Sequence, residues 1–198
     1  AVLDYSKAFF GDNETRFSLI FNRQSGEPYS VTINTSRGLG SLAYGGYDLA
    51  YVPTSVNDSV VEFSSPEVAA AVMAHVDGSD LSRFKGSYAP RNAFTSPWIT
   101  RMDIRITQEI NLPEFASAIG ENKALIYLDI LNVGNLLDDD NGIVRDFSFN
   151  TSRQFDSSGT TDDGRIIYTG IDPDDNAQTL TNEGKSSWEL RLGFSYKF

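Results

Sequence analysis

The sequence contains no cysteine, only one histidine, and no apolar run long enough for a transmembrane helix. Without cysteine, neither a disulfide framework nor a thiolate metal site can form. A helix that crosses a bilayer needs about 20 mainly apolar residues, so the sequence excludes one. Positive charge is also scarce, since the 198 residues carry a formal net charge of −11. Nucleic acid is therefore not an expected partner, because its binding depends on cationic patches.

Phenylalanine, tyrosine and glycine are abundant instead, which favours strands and turns over helices. Five segments alternate apolar and polar residues with the period of two that indicates a strand. They lie near 2–10, 15–22, 97–110, 123–133 and 186–198. Most of them are longer than the about 5–6 residues that are common in soluble domains. Their lengths suit the about 9–11 residues of a strand that crosses a bilayer at a tilt.

The last of these segments alternates most regularly. Every second residue is apolar or aromatic, namely Trp188, Leu190, Leu192, Phe194, Tyr196 and Phe198. Glu189, Arg191, Gly193, Ser195 and Lys197 stand between them. One face of this strand is therefore expected to meet lipid and the other a watery or plugged lumen.

The connections between the five strands alternate between short and long. GDNET and LPEFASAIGENK are short, whereas 23–96 and 134–185 are long and rich in turn formers. Outer-membrane barrels have this asymmetry, with short periplasmic turns and longer extracellular loops. The sequence therefore predicts an all-β fold, in which antiparallel strands form part of the wall of a transmembrane β-barrel.

One short helix is expected within the first long loop. Ser65 precedes Pro66 and Glu67, and the alanine-rich run that follows meets its first breaker at Asp77 and Gly78. These are the residues that favour the start and the end of a helix. A further helical turn is expected over 80–84.

Several stretches resemble the C-terminal part of TonB-dependent outer-membrane receptors, most closely the Oar-like branch, whose members often carry a carboxypeptidase-regulatory-like domain. The stretches are RQSGEPYS at 23–30, YDLAYVP at 47–53, LSRFKGSYAPRNAFTSPWITRMDIRITQEI at 81–110 and LDILNVGNLL at 128–137. The strand that closes on Phe198 resembles the barrel insertion signal of outer-membrane proteins. The resemblance implies a barrel of about 22 strands, of which this chain would supply five. A plug and a box that binds TonB would precede Ala1.

The resemblance also implies a place and partners. The place would be the outer membrane of a Gram-negative bacterium. The partners would be outer-membrane lipid, the rest of the receptor, the barrel assembly machinery and, through the N-terminal part, TonB. The function would be uptake of a scarce substrate, or protein translocation as the Oar-like branch suggests. The turns near Asp12 and 115–121 would be periplasmic, and the loops 23–96 and 134–185 extracellular.

No catalytic motif is present, and His75 has no expected partners for acid–base work, so neither an enzyme nor a cofactor is expected. The acidic runs at 138–140, 162–163 and 172–175 could hold calcium, or they could simply form solvated turns. Tyr44, Tyr47 and Tyr51 form an aromatic patch in the first long loop. This patch could contact a ligand or pack the loops together.

The charged residues on the predicted lumen side leave two roles open. They are Arg101, Asp103, Arg105, Asp129, Glu189, Arg191 and Lys197. Pairs of opposite charge on neighbouring strands would hold the wall or a plug, or the residues would line a transport path.

Two other functional classes remain. A soluble adhesion or carbohydrate-binding β-domain would bury the apolar faces in a sandwich core. A small membrane-embedded enzyme would need a closed barrel, which five strands cannot form, since the smallest known membrane barrels have about eight. Solubility without detergent would identify the first class, and hydrolytic activity lost on mutation of a serine or of His75 the second.

Overall fold

The structure is a computed structural model, and it describes residues 1–35, 39, 48–111, 123–172, 179–181 and 186–197. The fold is mainly antiparallel β. Contacts divide the chain into two compact units. The first comprises 1–25, 98–144 and 181–198, and the second comprises 26–97 and 145–180. Among the described residues, no helix has the length and apolar character needed to cross a membrane.

The first unit is built on a five-stranded antiparallel sheet. Its strands, in spatial order, are β1 (Val2–Phe10), β2 (Asn13–Gln24), β8 (Ile99–Asn111), β9 (Lys123–Leu131) and β14 (Glu189–Lys197). Each lies within a few residues of a segment that the alternation predicts as a strand. A two-residue turn joins β1 to β2, and Gly11 occupies it with a φ of +65°, which a residue without a Cβ adopts easily.

Within the described residues the sheet is open and no closed barrel forms. β1 pairs only with β2, and β14 pairs only with β9. A short helix, α2 (Val133–Leu137), follows β9. The described residues thus contain two α-helices, whereas the sequence predicts one.

The second unit contains strands that the sequence analysis missed, because it treated 23–96 and 134–185 as long loops. Five of them form a mixed sheet, namely β3 (Pro28–Asn34), β5 (Val61–Phe63), β7 (Phe94–Thr95), β11 (Thr151–Thr160) and β12 (Ile166–Ile171). Their order in the sheet is β5-β12-β11-β3-β7. β4 (Tyr51–Val52) and β6 (Ser87–Tyr88) pair with each other over two residues. β10 (Arg145–Phe147) pairs with β13 (Thr179–Thr181) in a separate small sheet.

The predicted helix is present in this unit as α1 (Pro66–Asp77). The Ser65 hydroxyl accepts a hydrogen bond from the Val68 N–H at 3.3 Å, and the Gly78 N–H donates to the Ala74 carbonyl at 2.9 Å. These contacts satisfy backbone groups that the helix ends would otherwise leave unpaired. A 3₁₀ turn at Asp80–Phe84 follows, as the sequence predicts.

The hydrophobic cluster that the described residues form lies in the second unit. Its largest fully buried members include Tyr168, Phe155, Ile33, Leu81, Val31, Val52, Val72 and Val76. The Tyr168 hydroxyl donates to the Tyr51 carbonyl at 2.6 Å, which satisfies a polar group that is otherwise enclosed. Each large apolar side chain buried in this way contributes about 1.5–3 kcal/mol. Most of the described residues of the two long connections therefore form one compact body around a buried apolar cluster.

Candidate functional site

One face of the five-stranded sheet carries two neighbouring rows that are apolar across all five strands, and we call it the apolar face. Residues paired directly across neighbouring strands lie on the same face of a sheet. One of these rows runs through Leu3, Leu19, Ile104, Ile130 and Leu190, and the next runs through Tyr5, Phe17, Ile106, Leu128 and Leu192. In these two rows the apolar residues of the separate strands are in register across the sheet.

Much of the apolar face is exposed. Leu192 is 79% exposed, Phe194 is 64% exposed and Leu3 is 67% exposed. The buried cluster that forms the core of the protein contains no residue of this sheet. Soluble monomers rarely expose contiguous apolar surfaces of more than a few hundred Å². The apolar face is therefore expected to be covered, either by an apolar phase or by a partner.

Aromatic side chains lie at both ends of the sheet. β8 and β14 start at the same end, where Trp98 and Trp188 precede them. The Arg23 guanidinium lies 5.4 Å from the centre of the Trp98 ring. At the opposite end, exposed aromatic rings belong to Phe9, Phe10 and Tyr196. Such rings, placed at two levels, are typical of the aromatic girdles at the two surfaces of a bilayer.

The length of β8 fits the thickness of a bilayer. β8 has 13 residues, which corresponds to about 40 Å at about 3.3 Å per residue. A tilt of about 40° reduces this span to about 30 Å, which is the thickness of the hydrocarbon core of a bilayer.

The opposite face is polar, and we call it the charged face. Its central row consists of Asp4, Ser18, Arg105, Asp129 and Arg191. Arg105 forms a bidentate ion pair with Asp129 on the neighbouring strand, with distances of 2.5 Å from Nε to Oδ1 and 2.7 Å from Nη2 to Oδ2. Asp129 is only 7% exposed, so the pairing compensates a largely enclosed carboxylate.

Further polar contacts extend this arrangement. Arg191 pairs with Glu189 on its own strand at 2.7 and 2.9 Å, and the Ser18 hydroxyl donates to Asp4. The Arg105 guanidinium lies 5.0 Å from the centre of the Tyr127 ring.

A depression of about 390 Å³ lies on the charged face. Its polar lining consists of Asp4, Ser18, Asp103, Arg105, Asp129 and Arg191. Four of these are charged residues that the sequence predicts for a lumen side. The numbers of carboxylate and guanidinium groups in this lining are nearly equal. The depression therefore suits paired polar contacts better than the binding of a single strongly charged group. The side chain of Lys197 lies outside the described part of the chain.

A buried asparagine at the end of β9 contacts β8 and two other segments of the first unit. The N–H of Asn132 donates to Asp103 Oδ1 at 2.7 Å, and its Nδ2 donates to the carbonyls of Gly142 at 3.0 Å and Ser186 at 2.5 Å. Asn132 is fully buried, with a φ of +52°. A Cβ on Gly142 would lie 1.9 Å from Asn132 Oδ1, so the two residues require each other. The stretch LDILNVGNLL, which contains Asn132, was noted for its resemblance to receptor sequences. The sequence did not indicate that Asn132 makes these buried contacts.

The acidic runs at 138–140 and 162–163 form turns in the structure. The Asp138 carboxylate accepts hydrogen bonds from two residues of its own turn, at 3.1 and 2.8 Å. Hydrogen bonds from the Thr161 hydroxyl and from Arg165 hold the pKa of Asp163 below its ordinary value. In the part of the chain that the structure describes, no group of three or more acidic or histidine side chains could hold a metal ion. Of the run 172–175, only the first residue is described.

Tyr51 lies inside the second unit. It is 7% exposed, its hydroxyl donates to Asp58 at 3.4 Å, and its ring meets Tyr88 edge-on at 5.4 Å. Burial and the nearby Asp58 carboxylate raise the pKa of Tyr51. This burial favours packing over ligand contact, the two roles that the sequence left open. Tyr44 and Tyr47 lie outside the described residues.

Sequence reasoning also missed Asp58, which organises the turn after β4. Its carboxylate accepts hydrogen bonds from the Thr54 N–H and hydroxyl at 2.8 Å and from the Val60 N–H at 2.9 Å. Burial alone would raise the pKa of Asp58, but these donors outweigh it and lower the pKa. The only available signal was the turn-forming Asn57–Asp58 dipeptide.

The remaining predicted residues are placed as follows. Trp188 directly precedes β14, and Leu190, Leu192, Phe194 and Tyr196 lie within it, all more than two-fifths exposed. Phe198 lies outside the described residues. His75 is packed: its Nε2 lies 3.0 Å from Gln154 Oε1, and its ring meets Phe155 edge-on.

No protein-family model matches this chain, and neither a curated protein nor a solved structure matches it at a significant level.

Proposed function

We propose that the five-stranded sheet is a C-terminal part of the wall of an outer-membrane β-barrel, and that the whole protein is a TonB-dependent receptor of the Oar-like branch. The observation that carries this proposal is the apolar face, on which two neighbouring rows stay apolar over five strands while the central row of the opposite face is mainly charged. A wall between lipid and a polar lumen requires this pattern.

The two free edges of the sheet support a larger barrel. Within the described residues, β1 and β14 each have one neighbouring strand, so each forms an edge of the sheet. In hydrocarbon each unsatisfied backbone group costs several kcal/mol, and only a closed barrel removes both edges. The family resemblance supplies the missing strands.

The charged face would line the lumen. The Arg105–Asp129 pair links β8 to β9, and the depression beside it offers both donors and acceptors. Such a surface can face water or a polar plug, and it stabilises the wall by cross-strand pairing. We assign these residues to the wall rather than to a path for one charged substrate, because most of the charges are already paired.

The second unit would be the external part of this portion of the receptor. Both long connections leave and re-enter the sheet at the same end, since β2 and β9 finish where β8 and β14 begin. Binding residues commonly lie on such connections above a rigid scaffold. The unit would therefore take part in recognising what the receptor imports, or the protein that it helps to translocate.

A matched pair of substitutions in the full-length protein tests the proposal. Phe194 and Ser195 are neighbours on β14 and point to opposite faces, with Phe194 on the apolar face. An arginine facing lipid near the middle of a bilayer costs about 2–4 kcal/mol, whereas a substitution facing the lumen costs much less. We expect Phe194→Arg to reduce the outer-membrane fraction of the protein strongly, and Ser195→Arg to leave it close to the wild-type amount.

Fractionation decides between this proposal and the soluble adhesion or carbohydrate-binding domain. Recovery of the wild-type protein from the aqueous fraction without detergent would contradict the barrel and favour the soluble domain. Equal membrane amounts of the two variants would also contradict it.

A further inference from the structure

The charged side chains on the apolar face of the five-stranded sheet are all cations. By the alternation along β1 and β2, Lys7 and Arg23 point to the same face as Tyr5 and Leu19. Among the described residues of the five strands, every aspartate and glutamate lies on the charged face. The apolar face therefore carries positive charge alone, whereas the charged face carries both signs.

The two cations lie toward opposite ends of the sheet. The Arg23 guanidinium lies over the ring of Trp98 at one end, and Lys7 Nζ lies 5.4 Å from the centre of the Phe9 ring toward the other end. Each of these rings is nearer to its end of the sheet than the cation beside it. Both head groups thus point away from the middle of the apolar face, as long cationic side chains do when they extend from hydrocarbon to the level of the lipid head groups.

The position of Arg23 along β2 fits that level. It lies four residues from Leu19, which corresponds to about 13 Å at about 3.3 Å per residue. A tilt of about 40° reduces this distance to about 10 Å along the membrane normal. Half of the hydrocarbon core is about 15 Å thick. The long arginine side chain covers the remainder, so its guanidinium reaches the lipid head groups.

The guanidinium of Arg23 is available to an anion. Among the described residues it contacts the Trp98 ring and has no carboxylate partner. A cation over the face of an aromatic ring keeps its N–H groups free for hydrogen bonds. By contrast, the arginines at 16, 105 and 191 on the charged face each pair with a carboxylate.

Two further hydrogen-bond donors lie beside Arg23. Thr100 is its direct partner on β8, and the Thr100 side chain is exposed on the same face. Trp98 is 62% exposed, and its indole ring carries an N–H group. Neither side chain forms a hydrogen bond with another described residue. One end of the apolar face therefore presents a guanidinium, a hydroxyl and an indole N–H together, and such donors suit the oxygens of a phosphate group.

We propose that Arg23, Thr100 and Trp98 bind the phosphate head group of an anionic lipid in the surrounding membrane. The guanidinium would donate to two phosphate oxygens, the hydroxyl and the indole N–H would complete the contacts, and the acyl chains would lie along the apolar face. This inference rests on the proposed function, because only a sheet in contact with lipid meets such head groups.

The test uses the full-length protein in detergent micelles, with lipid binding measured by native mass spectrometry. Dioctanoyl phosphatidic acid exposes an anionic phosphate, whereas in dioctanoyl phosphatidylcholine a quaternary ammonium compensates the charge. We expect the wild type to bind phosphatidic acid about tenfold more tightly than phosphatidylcholine, because hydrogen bonds between charged groups are the stronger ones. An excess of inorganic phosphate should leave this binding unchanged, because the free ion lacks acyl chains.

A matched pair of variants locates the phosphate. Arg23→Gln removes the cation from the apolar face, and Arg16→Gln makes the same change on the charged face of the same strand, where Arg16 pairs with Glu14. We expect Arg23→Gln to weaken the binding of phosphatidic acid about tenfold, and Arg16→Gln to change it less than about twofold. Arg23→Lys should restore part of the affinity, because lysine keeps the charge but cannot form the bidentate contact.

Three results would overturn the proposal. They are equal binding of the two lipids by the wild type, an equal loss of phosphatidic acid binding in Arg23→Gln and Arg16→Gln, and displacement of the lipid by inorganic phosphate, which would assign the site to a soluble anion. The comparison of the two lipids needs no variant, so misfolding of Arg23→Gln would not obscure the result.

Outer-membrane fractionation of the wild type separates this inference from the proposed function. A wild-type protein that is absent from the membrane would contradict the barrel itself. A wild-type protein that is inserted but shows no preference for phosphatidic acid would contradict the lipid site alone.

Discussion

Leu19 and Ile20 allow the barrel proposal to be tested as a free energy. They are adjacent on β2, near the middle of the strand, and they point to opposite faces. Leu19 lies on the apolar face between Leu3 and Ile104, whereas Ile20 lies on the charged face opposite Asp103. Replacing each with arginine removes a branched aliphatic side chain of the same size and adds the same charge. The two variants therefore differ in the face of the sheet on which the new charge is placed.

The expected magnitudes follow from the two environments. Arginine at mid-depth on a lipid-facing strand costs about 2–4 kcal/mol, which is roughly a 30- to 700-fold change in the folding equilibrium. Ile20→Arg places its charge on a polar face beside a carboxylate, and we expect a change of about 0.5 kcal/mol or less, as for an ordinary surface substitution.

The assay is urea-dependent folding of the full-length protein into phosphatidylcholine vesicles, with the folded fraction read from gel mobility before and after heating. The wild type provides the reference midpoint and slope. Equal costs for the two variants, or a larger cost for Ile20→Arg, would refute the assignment of the two faces.

Three further predictions concern contacts inside each unit. Asn132→Ala should cost about 1–3 kcal/mol in urea unfolding, because buried donors and acceptors lose their partner. Gly142→Ala should also destabilise, but less in the Asn132→Ala background, where the clash with Oδ1 is gone. In a double-mutant cycle, Arg105→Ala and Asp129→Ala should show a coupling of about 1–3 kcal/mol, and additive effects would argue against the pair. Because the fold lowers the pKa of Asp58, its contribution to stability is present above about pH 4 and is lost as the pH falls. The melting temperature of the second unit should therefore fall less between pH 5 and pH 3 in Asp58→Asn than in the wild type.

The strands of the first unit could be predicted because apolar residues recur along them with a period of two, most strictly in β8 and β14. The residues between Met102 and Thr107 alternate strictly, and so do those from Glu189 to Tyr196. Such a pattern specifies both the strand and its register. The order of the five strands and the pairing of Arg105 with Asp129 required the structure, since alternation does not identify neighbours.

The strands of the second unit escaped sequence analysis for a different physical reason. In β3, Ser30 and Thr32 alternate with Val31 and Ile33 and all four are buried, but the strand has only seven residues and lies in a connection rich in turn formers, so the alternation was not recognised. β11 buries the polar side chains of Ser152, Gln154 and Ser157, which read as a loop in the sequence. The helix α1 was predictable because Ser65, Pro66 and Gly78 mark its ends locally.

The absence of cysteine makes the most direct test of the central claim simple, because each introduced cysteine is the only one in this chain. Single cysteines at positions 189 to 196 of β14 can carry nitroxide labels in the protein reconstituted into bilayers. Their collision rates with oxygen, which concentrates in hydrocarbon, and with a water-soluble nickel chelate are then compared. The proposal predicts a period of two, with oxygen favoured at Leu190, Leu192 and Phe194 and the nickel chelate favoured at Arg191 and Ser195. Labels at Leu190, Leu192 and Phe194 that are shielded from both reagents, or that prefer the nickel chelate, would contradict it.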